Sequence, residues 1–222
     1  MAGAVLRVWV DPRCAVATTD RLGPFARLAD GRLLTIGANE GATSDDEGAT
    51  WSRPRRMCRG AGACGPSGGG LLLRTRRGRL VYVYMDMSTY RWSWDEQRRE
   101  AGDVRLDVWA VHSDDEGRSW RGRQRLFQGY CGALINMVQT TGGELVVPIQ
   151  RLLRDPSRHA ICVYVSADEG QTWTPSNIID LGGQGHHDGA MEPTLVELHD
   201  GRLWMLMRTN LDQFWSAWSQ DA

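Results

Sequence analysis

A carboxylate at Glu192 and a guanidinium at Arg208 stand out because the chain repeats, and elsewhere the repeat puts mostly apolar or small residues in their places. The register comes from four turns: Asp30-Gly31-Arg32-Leu33, Arg77-Gly78-Arg79-Leu80, Gly142-Gly143-Glu144-Leu145 and Asp200-Gly201-Arg202-Leu203. At one fixed offset before these turns lie Leu22, Gly69, Leu134 and Glu192. At another offset after them lie Ala38, Met85, Gln150 and Arg208. A charge that replaces an apolar residue in a repeated scaffold carries a desolvation cost, so it is expected to be paired, functional or both. A structural Glu192–Arg208 ion pair is one reading. Chemistry is the other: a carboxylate able to take a proton, beside a guanidinium able to grip an anion. Two features favour chemistry. His186-His187-Asp188-Gly189 crowds titratable groups just ahead of Glu192, and Gln150 is polar at the place of Arg208 one unit earlier.

The scaffold that must position these groups is written in a second repeat. Ser44–Trp51, Ser113–Trp120 and Ser166–Trp173 all read S-x-D-x-G-x-[ST]-W, and a fourth copy begins at Ser219-Gln220-Asp221. Copies tens of residues apart mean stacked copies of one structural unit. The box suits a tight turn: its glycine takes positive φ freely, its Asp and Ser/Thr side chains bond nearby backbone N–H groups, and its Trp offers an apolar face to bury against the next unit. That reading makes the boxes scaffold. Calcium is rejected because the dense alternating carboxylates of a twelve-residue calcium loop are missing.

Short apolar runs flank the turns: Leu71–Leu73, Leu80–Tyr84, Leu145–Ile149, Ile161–Val165 and Leu203–Met207. They have strand length and are bounded by Gly, Asp or Pro. Each unit therefore reads as strand, turn, strand, connection, strand, box, strand. Four strands in about 50 residues make one propeller blade, and propellers close with about four to eight. The expected fold is an all-β propeller of four-stranded blades, with residues 1–222 forming one domain of about four blades. Because the sequence stops inside the fourth box, leaving a sheet edge unpaired, it is expected to be a piece of a longer propeller. Four-bladed closure is the alternative. Residues 85–105 lengthen the second unit as an insertion, and Trp94–Ala101 within it has the only stretch that could be helical.

Composition limits the partners. A formal net charge of −1 argues against nucleic acid. No run of 18 apolar residues exists to span a membrane. Met1–Arg7 lacks a signal-peptide core, which places the protein in the cytoplasm if that N-terminus is genuine. The five cysteines leave one odd and show no metal spacing; buried free thiols are expected, with a Cys58–Cys64 bridge if the protein is exported. The glycine-rich stretch Gly60–Gly70 lacks the Lys-[Ser/Thr] of a phosphate loop.

The boxes, together with Glu192-Pro193-Thr194-Leu195 and the Arg208 that follows the last Asp-Gly turn, resemble the sialidases (neuraminidases) of the Asp-box, or BNR repeat, superfamily. The resemblance implies a six-bladed propeller that removes terminal sialic acid from glycans without a metal or other cofactor. In that family three arginines hold the substrate's carboxylate, a tyrosine is the nucleophile, a glutamate takes its proton and an aspartate serves as general acid. Carried onto this chain, Glu192 matches the tyrosine's partner and Arg208 the second arginine. Arg21 in Arg21-Leu22-Gly23-Pro24 stands for the first arginine, in a motif one residue longer than the family's. Glu40, in Ile36-Gly37-Ala38-Asn39-Glu40, substitutes for the acid. The third arginine and the tyrosine belong beyond residue 222, so the 222 residues alone are expected to be inactive. Tyr82, Tyr84, Tyr90, Tyr130 and Tyr164 match no family motif.

These departures keep two other readings open. One is a propeller enzyme on another acidic glycan, a hydrolase or lyase in which His186 and His187 move protons beside Asp188. The other is a propeller that binds glycans or proteins without catalysis. Tyr90, Trp92 and Trp94 in the insertion either stack on sugar faces or bury against a blade edge, and Asp95–Glu100 reads as a solvated face.

Overall fold

The computed structural model describes residues 9–14, 19–37, 39–57 and 67–220; the proposed Cys58–Cys64 bridge and Ala38 lie outside them. Four antiparallel sheets follow one another along the chain, each joining strands in sequence order. The first holds β1 (Phe25–Arg27), β2 (Leu33–Gly37), β3 (Glu40–Ser44) and β4 (Arg55–Arg56). The second holds β5 (Ser67–Arg74), β6 (Leu80–Asp86), β9 (Val108–Ser113) and β10 (Arg121–Phe127). Between β6 and β9 the insertion forms a hairpin of β7 (Trp94–Asp95) and β8 (Glu100–Ala101). That hairpin corrects the helical expectation for Trp94–Ala101. The third sheet holds β11 (Cys131–Ala133), β12 (Val138–Gln139), β13 (Leu145–Leu153), β14 (Arg158–Ser166) and β15 (Thr174–Ile179); both β11 and β12 pair with β13. The fourth holds β16 (Met191–Glu197), β17 (Leu203–Arg208) and β18 (Trp215–Ser219).

The strands' period of two explains how the sheets stack. In β6, Leu80, Tyr82 and Tyr84 point toward the first sheet and share a cluster with Leu34 and Ile36. The intervening Val81 and Val83 point the other way, to Leu145, Val147 and Ile149 of β13. Val146 of β13 in turn faces Leu195, Leu203 and Met205 of the fourth sheet. Strands apolar on both faces must be covered on both faces, so the sheets pack face to face as consecutive blades do. Each such side chain contributes about 1.5–3 kcal/mol of transfer free energy.

All three boxes close the same way. In the first, Ser44 Oγ accepts from Gly48 N–H at 2.8 Å, and Asp46 accepts from Thr50 N–H at 2.8 Å and Thr50 Oγ1 at 2.6 Å. Asp115 and Asp168 repeat these bonds to Ser119 and Thr172. Glu47 and Gly48 both take positive φ, as do their counterparts in the other boxes. The carboxylates are thus consumed by the turn itself. One expectation is corrected: the second and third boxes pack back on the preceding unit. Trp120 packs on the cluster that includes Leu34 and Ile36 of the first sheet and Trp173 on the one that includes Val81 and Val83 of the second, while Gly117 abuts Leu34, Gly170 abuts Val81 and Glu116 accepts from Ala29 N–H.

The Thr50 and Ser44 bonds hold the Asp46 carboxyl at about 2, below its usual 3.8. Asp115 and Asp168 also lie low, because hydrogen bonds from Ser119 and Thr172 outweigh the desolvation that alone would raise them. A folded-state pKa below the unfolded one gives stability that is complete above the unfolded value and lost as pH falls through the folded value. The melting temperature is therefore expected to decline between about pH 4 and pH 2. Replacing all three aspartates by asparagine should flatten that decline; an unchanged slope in the triple variant would assign the acid sensitivity elsewhere.

The three described boxes and the four glycine turns occupy one end of the sheets; the fourth box runs beyond the described residues. The opposite end carries Gly37↔Glu40, Met85↔Val108, Leu153↔Arg158 and Met191↔Arg208. Glu40, Gln150, His186–Asp188, Glu192 and Arg208 lie toward that second rim; Arg21 precedes β1, and its N–H donates to Thr19 Oγ1, which also accepts from Trp51 of the first box.

Candidate active site

Glu192 sits where β16 bulges against β17: the register slips between the Met191↔Arg208 and Thr194↔Leu206 pairs. Its φ of 46° is unusual for a residue with a side chain. Gln150 steadies it, because the Gln150 Oε1 accepts from the Glu192 backbone N–H at 2.8 Å. Gln150 is itself buried, and its amide lies so close to Gly132 that a Cβ there would collide with it. Gln150 is thus a positioning residue, which its polarity hinted at but its spacing did not reveal. Held in this way, the Glu192 carboxylate meets Arg208 as a fork, with Arg208 Nε donating at 2.7 Å and Nη2 at 3.0 Å. Both side chains stay open to solvent, Arg208 at 43% and Glu192 at 46%. Among the described residues Arg208 Nη1 donates to nothing, so one edge of the guanidinium is available.

The counterparts of Glu192 in the other units share a cavity that neither Glu192 nor Arg208 lines. Leu22, Gly69 and Leu134 all line one pocket of about 570 Å³, together with Ile36, Leu71 and Asn136. Asn136 also clamps the fourth sheet: its Nδ2 donates to Leu195 O at 2.7 Å and its Oδ1 accepts from Leu195 N–H at 3.2 Å.

The loop entering β16 is strapped to β14. His159 N–H donates to Asp188 O at 2.8 Å, Ala190 N–H donates to His159 O at 3.1 Å, and His159 Nε2 lies 3.0 Å from His186 O. A carbonyl can only accept, so Nε2 carries the proton. Burial holds the His159 pKa below the ordinary histidine value. No sequence pattern marked His159; it sits in a strand whose neighbours are apolar. Asp188 is engaged by Gln184 N–H, Arg99 Nη2 and Asn210 Nδ2, at 3.0, 3.3 and 2.7 Å, which makes it a clasp for the loop. The rings of His186 and His187 lie 4.2 Å apart, and His187 is exposed.

Arg21 and Glu40 line a different pocket, of about 260 Å³, with Gly37 and Pro54. Arg21 Nε approaches Asp20 at 3.4 Å without hydrogen-bond alignment. The structure thus forms two groups: Glu192, Arg208 and Gln150 in contact beside the histidine loop, and Arg21 with Glu40 on the first sheet.

Residues 41–222 match the family model of the BNR repeat-like domain. The chain belongs to that family. No curated protein matches its sequence. Among solved structures, this BNR-repeat chain is similar to a protein of unknown function from Dyadobacter fermentans, at 17% identity and a TM-score of 0.64, covering 89% of this chain and 64% of that one. It is similar to the alpha-L-arabinanase of Penicillium chrysogenum, solved with arabinobiose, at 15% identity and 0.59, covering 89% and 62%. It is also similar to the NanB sialidase of Streptococcus pneumoniae, at 13% and 0.57, covering 92% and 50%. At these identities the likeness shows the fold alone. The chain spans half to two-thirds of the length of each.

Proposed function

We propose that this chain forms part of a six-bladed propeller glycoside hydrolase that removes a terminal acidic sugar, sialic acid, from glycans. The observation that carries the reading is the forked Glu192–Arg208 pair, built at repeat positions that are otherwise apolar, small or neutral and left open to solvent. A purely structural pair does not need the positive φ that Gln150 maintains. Arg208 offers its free Nη1 edge to the substrate's carboxylate, a charge-assisted contact. Glu192 receives the proton of a tyrosine nucleophile that the family pattern places beyond the Arg208 segment, since an unassisted phenol with a pKa near 10 is a poor nucleophile. Arg21 is the further carboxylate grip and Glu40 the acid that protonates the departing oxygen. The sialidase and arabinanase among the similar structures support a glycosidase in general.

The test is turnover of a fluorogenic sialoside and a nitrophenyl arabinofuranoside by the full-length protein. Glu192→Gln should lower sialoside kcat about a hundredfold or more, the scale of a lost proton acceptor, and Arg208→Ala should raise KM for the acidic sugar. Turnover of the arabinoside alone, or full sialoside activity in Glu192→Gln, would refute the proposal. A second reading draws on the exposed His187 against His186: proton transfer by the histidines on another acidic glycan. It predicts the reverse pattern, with His187→Gln inactive on a uronate substrate and Glu192→Gln active.

A further inference from the structure

Five rings from three segments meet on the rim that carries Glu192. Trp92 packs against Tyr130 with centroids 4.8 Å apart and lies nearly parallel to Trp94 at 6.1 Å. Trp94 meets the edge of His186 at 5.1 Å, and His186 adjoins His187. None of these rings belongs to the three apolar clusters that hold the sheets together. The insertion is also fastened through polar atoms. Glu100 accepts from Ser157 Oγ at 2.5 Å and from Gln184 Nε2 at 3.0 Å, and Arg154 donates to Gly102 O at 2.6 Å. Trp92 nevertheless remains 38% exposed.

We propose that Trp92, Trp94 and Tyr130 form a sugar-binding subsite that takes a neutral hexopyranose of the glycan, beyond the unit held by Arg208. The proposal rests on the glycosidase reading for its occupant. A pyranose ring has an apolar C–H face that covers exposed indole and hydroxyls that stay in water, so stacking removes apolar surface at little polar cost. The row ends on His187, five residues before Glu192. That span of chain reaches at most about 18 Å, so one oligosaccharide can touch both places. The acidic Asp95, Glu96 and Asp103 among the arginines of the insertion disfavour a polyanion such as nucleic acid on this surface.

Calorimetric titration of the full-length protein with lactose, free sialic acid and sialyllactose tests the proposal. Lactose should bind weakly and sialyllactose more tightly. Trp92→Ala and Trp94→Ala should each weaken lactose binding about tenfold, the worth of one aromatic stack, and Trp92→Phe should keep most of it. Glu192→Gln should leave lactose binding unchanged. Absence of lactose and sialyllactose binding by the wild-type protein, or wild-type lactose affinity in folded alanine variants, would overturn the subsite. If lactose binds through Trp92 while neither the sialoside nor the arabinoside is turned over, the subsite stands and the glycosidase reading falls.

Discussion

Replacing Asp107 by alanine is expected to destabilise the fold by about 3 kcal/mol, the low end of the range for breaking a buried ion pair. Asp107 is fully buried, yet it is a carboxylate. Arg105 donates to it through Nε at 3.0 Å and Nη2 at 2.7 Å, and Gly129 N–H donates at 3.2 Å. Arg125 stands 3.7 Å away. One side chain thus joins the exit of the insertion, the start of β9 and the entry to the third sheet. Alanine would leave the Gly129 N–H and part of a guanidinium unpaired. Arg105 is partly exposed and can regain some water, which is why the lower figure applies. Asp30→Ala supplies the contrast: its pair with Arg32 is exposed and screened by water, so its loss should be much the smaller. Denaturant unfolding of both variants measures the difference, and equal losses would remove Asp107 from its anchoring role.

What could be read from sequence follows from the range of each contact. The boxes are local, so S-x-D-x-G-x-[ST]-W was enough to place the three described ones at strand-to-strand turns. The apolar runs of β6 and β13 likewise announced strands, while the cover on both their faces emerged only from the stacking of the sheets. The Glu192–Arg208 pair was legible because the repeat supplies a register against which one carboxylate and one guanidinium are exceptions. Contacts between distant segments were not legible. Glu100 lies in a stretch that reads as a solvated face, but Ser157, far along the chain, takes it as a partner. Tyr130 and His186 have no sequence link to Trp92 and Trp94, yet they complete the aromatic row. The direction in which the boxes pack was also hidden, since an apolar Trp face suits either neighbouring sheet. The insertion's polar, aromatic-rich centre fitted a helical period and a short hairpin equally well, and its docking onto Ser157 and Arg154 accompanies the hairpin.

Gly189→Ala is expected to cost roughly 3–5 kcal/mol, a size reserved for backbone conflict or lost burial, and, under the function proposed above, to abolish sialoside turnover. Gly189 has a φ of +91° and forms a bridge to His159, where a Cβ would overlap the backbone carbonyl oxygen of His159. No side-chain rearrangement can relieve a clash with main chain, so the loop must lift from β14. It would lose the Asp188-to-His159 and His159-to-Ala190 hydrogen bonds on either side of the bridge. Those bonds set the path of the chain into β16, and with it the bulge on which Glu192 takes its positive φ against Gln150. Gly182 isolates the cause. It lies in the same loop at φ +77°, and a Cβ added there would meet nothing within 4 Å, so Gly182→Ala should incur only the left-handed backbone penalty, about 1–2 kcal/mol. If unfolding and sialoside turnover respond alike in the two variants, contact with the His159 carbonyl is not what holds the loop. If only Gly189→Ala loses both, the strap on β14 is the element that carries packing in the third sheet to the carboxylate of the fourth.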